Sequence, residues 1–163
     1  AARTHRAAPI SCTRHTSMKD IHSGMTVQSV FGPVAMNADN TPAAIDLRGY
    51  DAAELILGIG IGGITFDGSN KIEFKLTHSD DDSTYDAVTV SDMVGLASVG
   101  SGGIIKSLVA AHAAAAVYRF GYRGGRRYLK LLADFTGTHG SATPVFAAVA
   151  KMHGHDNPQT NQA

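Results

Sequence analysis

Three segments of the sequence hold residue types that could do chemistry. Gly58-Ile59-Gly60-Ile61-Gly62-Gly63 satisfies the spacing GxGxxG, which cradles the pyrophosphate of a dinucleotide when a helix begins directly after it. Residues 64–70 are β-prone and then turn-forming, so no helix is expected there. We therefore interpret this motif as a glycine-rich strand and turn, and we expect no bound cofactor.

Two further segments offer metal ligands. Asp80-Asp81-Asp82 with Asp86 could supply oxygen atoms to Ca²⁺, although their spacing does not match an EF-hand loop, and the other interpretation is a solvated hairpin tip. His153-Gly154-His155-Asp156 resembles a weak metal cluster, but no cysteine supports it. The remaining histidines considered are scattered along the chain: His22, His78, His112 and His139. We expect no metal site.

The sequence contains no recognisable nucleophile motif. It has no GxSxG elbow, no HExxH pair and no phosphate-binding P-loop. Because no acid, base, nucleophile and metal can be assembled into one set, we predict that the protein is not an enzyme.

A basic, aromatic segment is the main candidate for binding. Its cations are Arg119, Arg123, Arg126, Arg127 and Lys130, and three tyrosines are interleaved with them. One interpretation is a contact surface for a negatively charged protein or an anionic polymer, and the other is a solvated outer face. The candidate partner interface consists of Tyr118, Tyr122, Arg123, Arg126, Arg127 and Tyr128.

The same segment predicts a β-hairpin. Two aromatic-rich strands over residues 117–122 and 126–135 flank Gly124-Gly125, a pair that accepts the backbone angles of a tight turn. We expect these strands to fold back on each other.

Alternating or continuous apolar patterns predict the other strands. They cover residues 25–31, 44–47, 54–61, 71–78, 85–90, 104–109 and 144–152, with a hairpin turn at 79–83 and loops at 91–103 and 110–116. About eight strands without an amphipathic helix predict an all-β fold, an antiparallel β-sandwich of the jelly-roll type.

Composition and charge limit the function classes. Of the 163 residues, 44% are hydrophobic and 17% are charged, which suits one globular domain. The formal net charge is zero, and three arginines without an acid lie in residues 1–17, so the remainder is slightly acidic. That balance argues against specific nucleic-acid binding. No apolar run is long enough to span a membrane, and the one cysteine, Cys12, excludes a disulfide within the chain.

These observations divide the chain into three parts. Residues 1–17 form a basic leader, residues 18–157 a single β-sandwich domain and residues 158–163 a polar tail. The leader is either an extension introduced by a misassigned start, since Met18 could begin translation, or a genuine flexible arm of the kind that tethers subunits.

Several segments resemble small virion proteins of tailed bacteriophages and prophages. The resemblance lies in residues 45–50, 74–81, 118–122 and 127–130, and it extends over roughly residues 20–158. It implies a head-associated β-sandwich that decorates or stabilises the capsid through subunit contacts. It further implies the major capsid protein as partner, a homo-oligomer, and a place on the virion surface after synthesis in the bacterial cytoplasm.

The alternative is a carbohydrate- or receptor-binding module of a phage tail or fibre. Such a site presents exposed aromatic rings beside a few polar groups, and Tyr50, Tyr85 and Tyr122 are the candidates.

Overall fold

The computed structural model describes residues 20–153, and within this range the regular structure is almost entirely β. The strands are β1 (Met25–Met36), β2 (Ile45–Asp46), β3 (Ala52–Ile59), β4 (Lys71–Ser79), β5 (Asp86–Ala87), β6 (Met93–Val94), β7 (Ile104–Leu108), β8 (Ala116–Tyr122), β9 (Tyr128–Thr136) and β10 (Thr143–Met152). Two short 3₁₀ turns cover His22–Gly24 and Val90–Asp92. The leader at 1–17 and the tail at 158–163 lie outside the described residues.

The strands form two antiparallel sheets with jelly-roll connectivity. Sheet A has the order β1-β10-β3-β8-β6, and sheet B has the order β2-β9-β4-β5, with β7 also paired to β4. Without the two-residue strands β5 and β6, the orders are β1-β10-β3-β8 and β2-β9-β4-β7, and the chain changes sheet at every step except from β4 to β7. The prediction of an all-β, jelly-roll-like sandwich is confirmed.

Strand β4 shows why the two sheets pack together. Ile72, Phe74 and Leu76 alternate along it and are completely buried between the sheets. Lys71 and Glu73, on the opposite side, are joined by a salt bridge of 2.6 Å. Successive residues of a strand point to opposite faces, so sheet B presents apolar side chains to the core and charged ones to solvent.

The predicted hairpin of β8 and β9 is wrong. Strand β8 pairs with β3 and β6 in sheet A, whereas β9 pairs with β4 and β2 in sheet B. Residues 123–127 therefore carry the chain from one sheet to the other. Each strand has one long partner in its own sheet, and a two-residue strand, β6 or β2, covers the end of its other edge nearest the crossover. Gly125 still adopts a left-handed conformation, with φ +71°, but it does so in a crossover.

Strand β1 is longer than expected. It runs through Gly32-Pro33 to Met36, with register shifts between Ser29 and Phe31 and between Phe31 and Val34. Pro33 is tolerated because β1 is an edge strand that pairs only with β10, and a bulged edge does not need every backbone N–H.

The segment after β3 confirms that the GxGxxG motif has no helix to follow it. Residues 60–70 contain turns and irregular structure only. Gly63 adopts φ +80° with Thr143 packed against it, so the glycine permits a close approach of two chain segments. No helix in the described range 20–153 is long and apolar enough to cross a membrane.

Candidate functional site

A groove of about 330 Å³ lies at one end of the sandwich. The loop between β2 and β3 supplies Arg48 and Tyr50, and the crossover between β8 and β9 supplies Arg123, Arg126 and Arg127. We call this feature the arginine groove, defined by its four arginines. Sequence segments that lie far apart in the chain meet here because the jelly roll brings the ends of both sheets together.

Arg127 is held by a carboxylate on the neighbouring strand. Its Nε and Nη2 atoms donate hydrogen bonds to the two carboxylate oxygens of Asp46, at 2.9 and 2.8 Å. This two-point contact holds the pKa of Asp46 well below its usual range. The guanidinium group also lies 4.6 Å from the ring centre of Tyr128. Arg127 therefore forms a fixed wall of the groove.

Arg126 is neutralised by the acidic hairpin tip. Its Nη1 atom donates to Asp86 at 2.6 Å, and its Nε atom lies 3.8 Å from Asp80. Nearby, Lys130 lies 3.6 Å from the carboxylate of Asp82 and 3.9 Å from the ring centre of Tyr85. The basic segment and the acidic tip, far apart in sequence, thus compensate each other.

The acidic tip is stabilised by its own loop. The Asp81 carboxylate accepts hydrogen bonds from the backbone N–H groups of Ser83 and Thr84, both at 2.9 Å, and from the Ser79 hydroxyl at 2.8 Å. These bonds lower the pKa of Asp81 to about 2. Across residues 20–153, no three acidic, histidine or cysteine side chains are grouped so that they could hold a metal ion. The Asp81 carboxylate already accepts these hydrogen bonds within the turn.

Arg48 and Arg123 are the two arginines of the groove that form no salt bridge in the described range. Both are exposed. The Nε atom of Arg123 donates to the Ser91 carbonyl at 2.9 Å, which orients the side chain without neutralising it. The groove therefore holds two arginines in salt bridges and two without one, while the Asp46 carboxylate also attracts Arg48 and Asp51 adds a carboxylate to the lining.

Tyr122 is part of the core beneath the groove and is not an exposed contact. Only 5% of its surface is accessible, and its hydroxyl accepts the Arg126 backbone N–H at 3.2 Å. The same hydroxyl is 2.9 Å from Nδ1 of the buried His78. Burial raises the pKa of Tyr122 and lowers the pKa of His78. Tyr122 therefore positions the backbone of Arg126.

The structure brings together four of the six candidate interface residues: Tyr122, Arg123, Arg126 and Arg127 line the groove, whereas Tyr118 and Tyr128 do not. Tyr118 lies under Lys106, whose Nζ atom is 4.1 Å from its ring centre. Sequence reasoning missed Arg48 as a partner of this segment. A cation beside a glycine and a tyrosine is a weak signal, and only the sheet topology reveals its neighbours.

The histidines considered as metal ligands serve separate parts of the fold. His139 is 9% exposed, with Nε2 at 3.0 Å from the Thr136 carbonyl and its ring edge-on to Phe135. His153 packs against Tyr50, with ring centres 4.3 Å apart. His155 and Asp156 lie outside the described residues.

The outer surface of sheet A carries a group of apolar residues beside the ion pair of Glu54 and Arg119. Ile56 pairs with Ala148 on one side and Arg119 on the other, and Gly58 pairs with Phe146 and Val117 in the same way. Residues directly opposite each other share a face, and the alternate residues of β3 are buried in the core, so this set points outward. We call it the apolar face: Ile56, Gly58, Val117, Phe146 and Ala148.

A shallow cavity continues the apolar face towards the end of the sandwich opposite the arginine groove. Its volume is about 490 Å³, and it is lined by Val34, Gly60, Val117, Pro144 and Phe146 among others. The Phe146 ring lies directly on Gly58, where a Cβ atom would overlap it. Val117 is 69% exposed, on a part of β8 that is paired with β3 and not with β6.

The fold class is assigned from the strand order and not from comparisons with known proteins. No family model and no curated protein sequence matches the chain. Among solved structures, it is similar to a chain from Bacillus endospore appendages, which are described as disulfide-linked pili. The identity is 12% and the TM-score 0.33, over 90% of this chain and 98% of that one, too low to support any conclusion about function. The strand order defines a jelly-roll β-sandwich.

Proposed function

We propose that the protein is a non-enzymatic structural component of a tailed bacteriophage that decorates or stabilises the capsid. Two kinds of support meet in this proposal. The sequence resembles small virion proteins, and the described chain offers a binding groove whose polar groups are suited to holding a protein partner. The observation that carries it is the pair of exposed arginines without a salt bridge, Arg48 and Arg123, which the loop between β2 and β3 and the crossover between β8 and β9 bring into one groove.

The partner in this proposal is an acidic surface segment of the major capsid protein. A guanidinium group binds a carboxylate through two parallel hydrogen bonds, so two arginines without a salt bridge suit a segment with two acidic side chains. Arg127 and Arg126 are already held by Asp46 and Asp86, so the groove walls are fixed before a partner arrives. A preformed site reduces the ordering that binding requires.

The place of action follows from the same proposal. The protein is made in the bacterial cytoplasm and is then bound in many copies on the virion surface, where copies contact one another as a homo-oligomer. No chemical step is assigned to it.

The alternative as a carbohydrate- or receptor-binding module gains little from the structure. It requires several aromatic rings on one exposed surface. Tyr122 is buried, and Tyr85 lies against Lys130 with its hydroxyl hydrogen-bonded to Asp82. Tyr50 and Tyr122 both line the arginine groove, but Tyr50 also packs on His153.

The test measures binding to capsids. Phage-like particles purified from the source cell are analysed by quantitative mass spectrometry, and the purified protein is then sedimented with particles stripped of it. We expect saturation at a fixed ratio to the major capsid protein. The double variant Arg48→Ala, Arg123→Ala should bind at least about tenfold more weakly, since two charge-assisted contacts are lost.

A matched variant separates groove contacts from total charge. Lys71→Ala, Lys106→Ala removes two positive charges that lie outside the arginine groove, so its binding should stay close to that of the unaltered protein. Equal losses in both variants would reduce the contact to general charge attraction. Absence of the chain from purified particles would overturn the capsid proposal.

A further inference from the structure

We propose that His78 makes the arginine groove sensitive to pH: a proton on His78 loosens the attachment of Arg126, so the groove wall is fixed at neutral pH and mobile in mild acid. The inference deepens the proposed function, because it names a regulation of the same groove, and it rests on that function for its biological consequence. Its central test uses the free chain without capsids, so that one proposal can fail without the other.

Two hydrogen bonds connect the core to the crossover that forms the groove wall. His78 is only 6% exposed, and its Nδ1 atom lies 2.9 Å from the hydroxyl oxygen of Tyr122. The same oxygen accepts the backbone N–H of Arg126 at 3.2 Å. A tyrosine hydroxyl has one proton to donate, and a neutral imidazole has one accepting nitrogen. With the proton of neutral His78 on Nε2, the hydroxyl donates to Nδ1, and its oxygen stays available to the Arg126 N–H.

A proton on Nδ1 reverses the first of these bonds. An imidazolium ring donates from both nitrogens and accepts at neither. The Tyr122 oxygen then receives two N–H donors, while its own proton loses the nitrogen that accepted it. A charged donor binds an oxygen more strongly than a neutral amide does, so the longer bond, from Arg126, is the one that weakens.

The charges near His78 act in the same direction. In its own sheet the residue lies between β5 and the uncharged Leu129 of β9. Four charged groups from other segments interact with the ring: Arg126, Asp92, Asp86 and Asp80. Burial and the charge of Arg126 lower the pKa of His78, whereas the three carboxylates raise it. Two of these carboxylates, Asp86 and Asp80, also hold the Arg126 guanidinium group. A charged ring would repel that group and compete for its partners.

The crossover carries the change to the binding residues. Arg123 is held at the start of the crossover, where its backbone N–H donates to the Asp92 carbonyl at 2.8 Å. Arg127 is held at the end by Asp46. Loosening Arg126 frees the segment between these two points. The groove must then be ordered again when a partner binds, so capsid binding should be weaker in mild acid.

The central test is an NMR titration of the full, isotope-labelled chain from about pH 7.5 to about pH 5, the range in which a histidine changes its charge. The backbone N–H signal of Arg126 should shift with the same midpoint as the ring signals of His78. Its protection against hydrogen exchange should fall about three- to tenfold across that midpoint, the effect of weakening one hydrogen bond. An unchanged circular dichroism spectrum shows that the sandwich stays folded.

Two variants assign the midpoint to one histidine. His78→Gln removes the titrating group, so the Arg126 signal should no longer show a midpoint in this range. His153→Gln is the matched control, because His153 packs on Tyr50 at the same groove, and the midpoint should persist in it. The comparison of midpoints in the unaltered chain is valid even if His78→Gln does not fold.

Three outcomes would overturn the inference. The Arg126 signal stays constant while His78 takes up a proton, His78 stays neutral throughout the range, or the unaltered chain binds capsids equally tightly at about pH 7.5 and about pH 5.5. Absence of capsid binding at both pH values contradicts the capsid proposal instead, since the NMR titration involves no capsid.

Discussion

Replacing Tyr122 by phenylalanine should destabilise the protein more than its small chemical change suggests. The variant removes one hydroxyl group and keeps the ring in the core. That hydroxyl is the partner of the buried Nδ1 of His78 at 2.9 Å and of the half-buried backbone N–H of Arg126 at 3.2 Å. The fold offers neither group an alternative partner at that position.

The expected size follows from the cost of leaving buried polar groups unpaired. A buried unpaired group costs about 1–3 kcal/mol, and the Arg126 N–H costs less because it is half-buried and its contact is longer, so the sum is about 2–4 kcal/mol. For a domain of this size that is a fall in melting temperature of the order of 10 °C. Urea unfolding followed by circular dichroism measures it, with an unchanged m-value as the condition for a valid comparison.

Tyr118→Phe is the matched control, because it makes the same change on the same strand. The Tyr118 hydroxyl lies 3.5 Å from Nε2 of His112, at the limit of a hydrogen bond. We expect a loss below about 0.5 kcal/mol there. Equal effects of the two substitutions would refute the assignment of Tyr122 as the residue that fixes the arginine groove from below.

Three further changes test other parts of the fold. Gly103→Ala should lower the free energy of unfolding by at least about 3 kcal/mol, because φ is +82° and the new Cβ would overlap a backbone carbonyl. Gly125→Ala, with φ +71° and open space around it, should lower it by about 1 kcal/mol. Chemical denaturation compares the two variants, and equal losses would contradict the packing argument. Arg127→Lys should raise the pKa of Asp46 towards 3.8, visible in an NMR titration of the carboxylates, and an unchanged pKa would exclude the two-point contact as its cause. Because burial lowers the pKa of His78, the unfolded chain binds a proton at this histidine more tightly than the folded chain does, so the stabilisation is complete above about pH 6.5 and decreases below it. His78→Phe should make the urea midpoint depend less on pH in this acidic range. An unaltered pH dependence would assign the decrease to other groups.

The sequence predicts the fold class and the burial pattern well. The strand predicted over residues 71–78 alternates strictly between apolar and polar residues, and its apolar residues Ile72, Phe74 and Leu76 are all fully buried. Such patterns are local, because the side-chain period of a strand is fixed by backbone geometry. The short hairpin of β4 and β5, joined by the acidic tip, was predicted for the same reason.

Strand pairing across the sandwich could not be predicted from local patterns. Gly124-Gly125 suits a hairpin turn and a crossover equally well, and the choice depends on which sheet buries the following apolar residues. The same limit applies to the candidate site. The compensation of Arg126 by Asp86 and of Arg127 by Asp46 depends on contacts between residues far apart in the chain. A count of charges in one segment therefore overestimates the free positive charge.

The position of β10 has a consequence for how the chain folds during synthesis. This strand, near the end of the described sequence, lies between β1 and β3, which emerge from the ribosome much earlier. Until residue 152 has been made, β1 has no partner strand and one edge of β3 stays open. Sheet A can therefore close only after almost the whole domain has been translated, and chains that stop early expose unpaired apolar strands, which favours their aggregation or degradation.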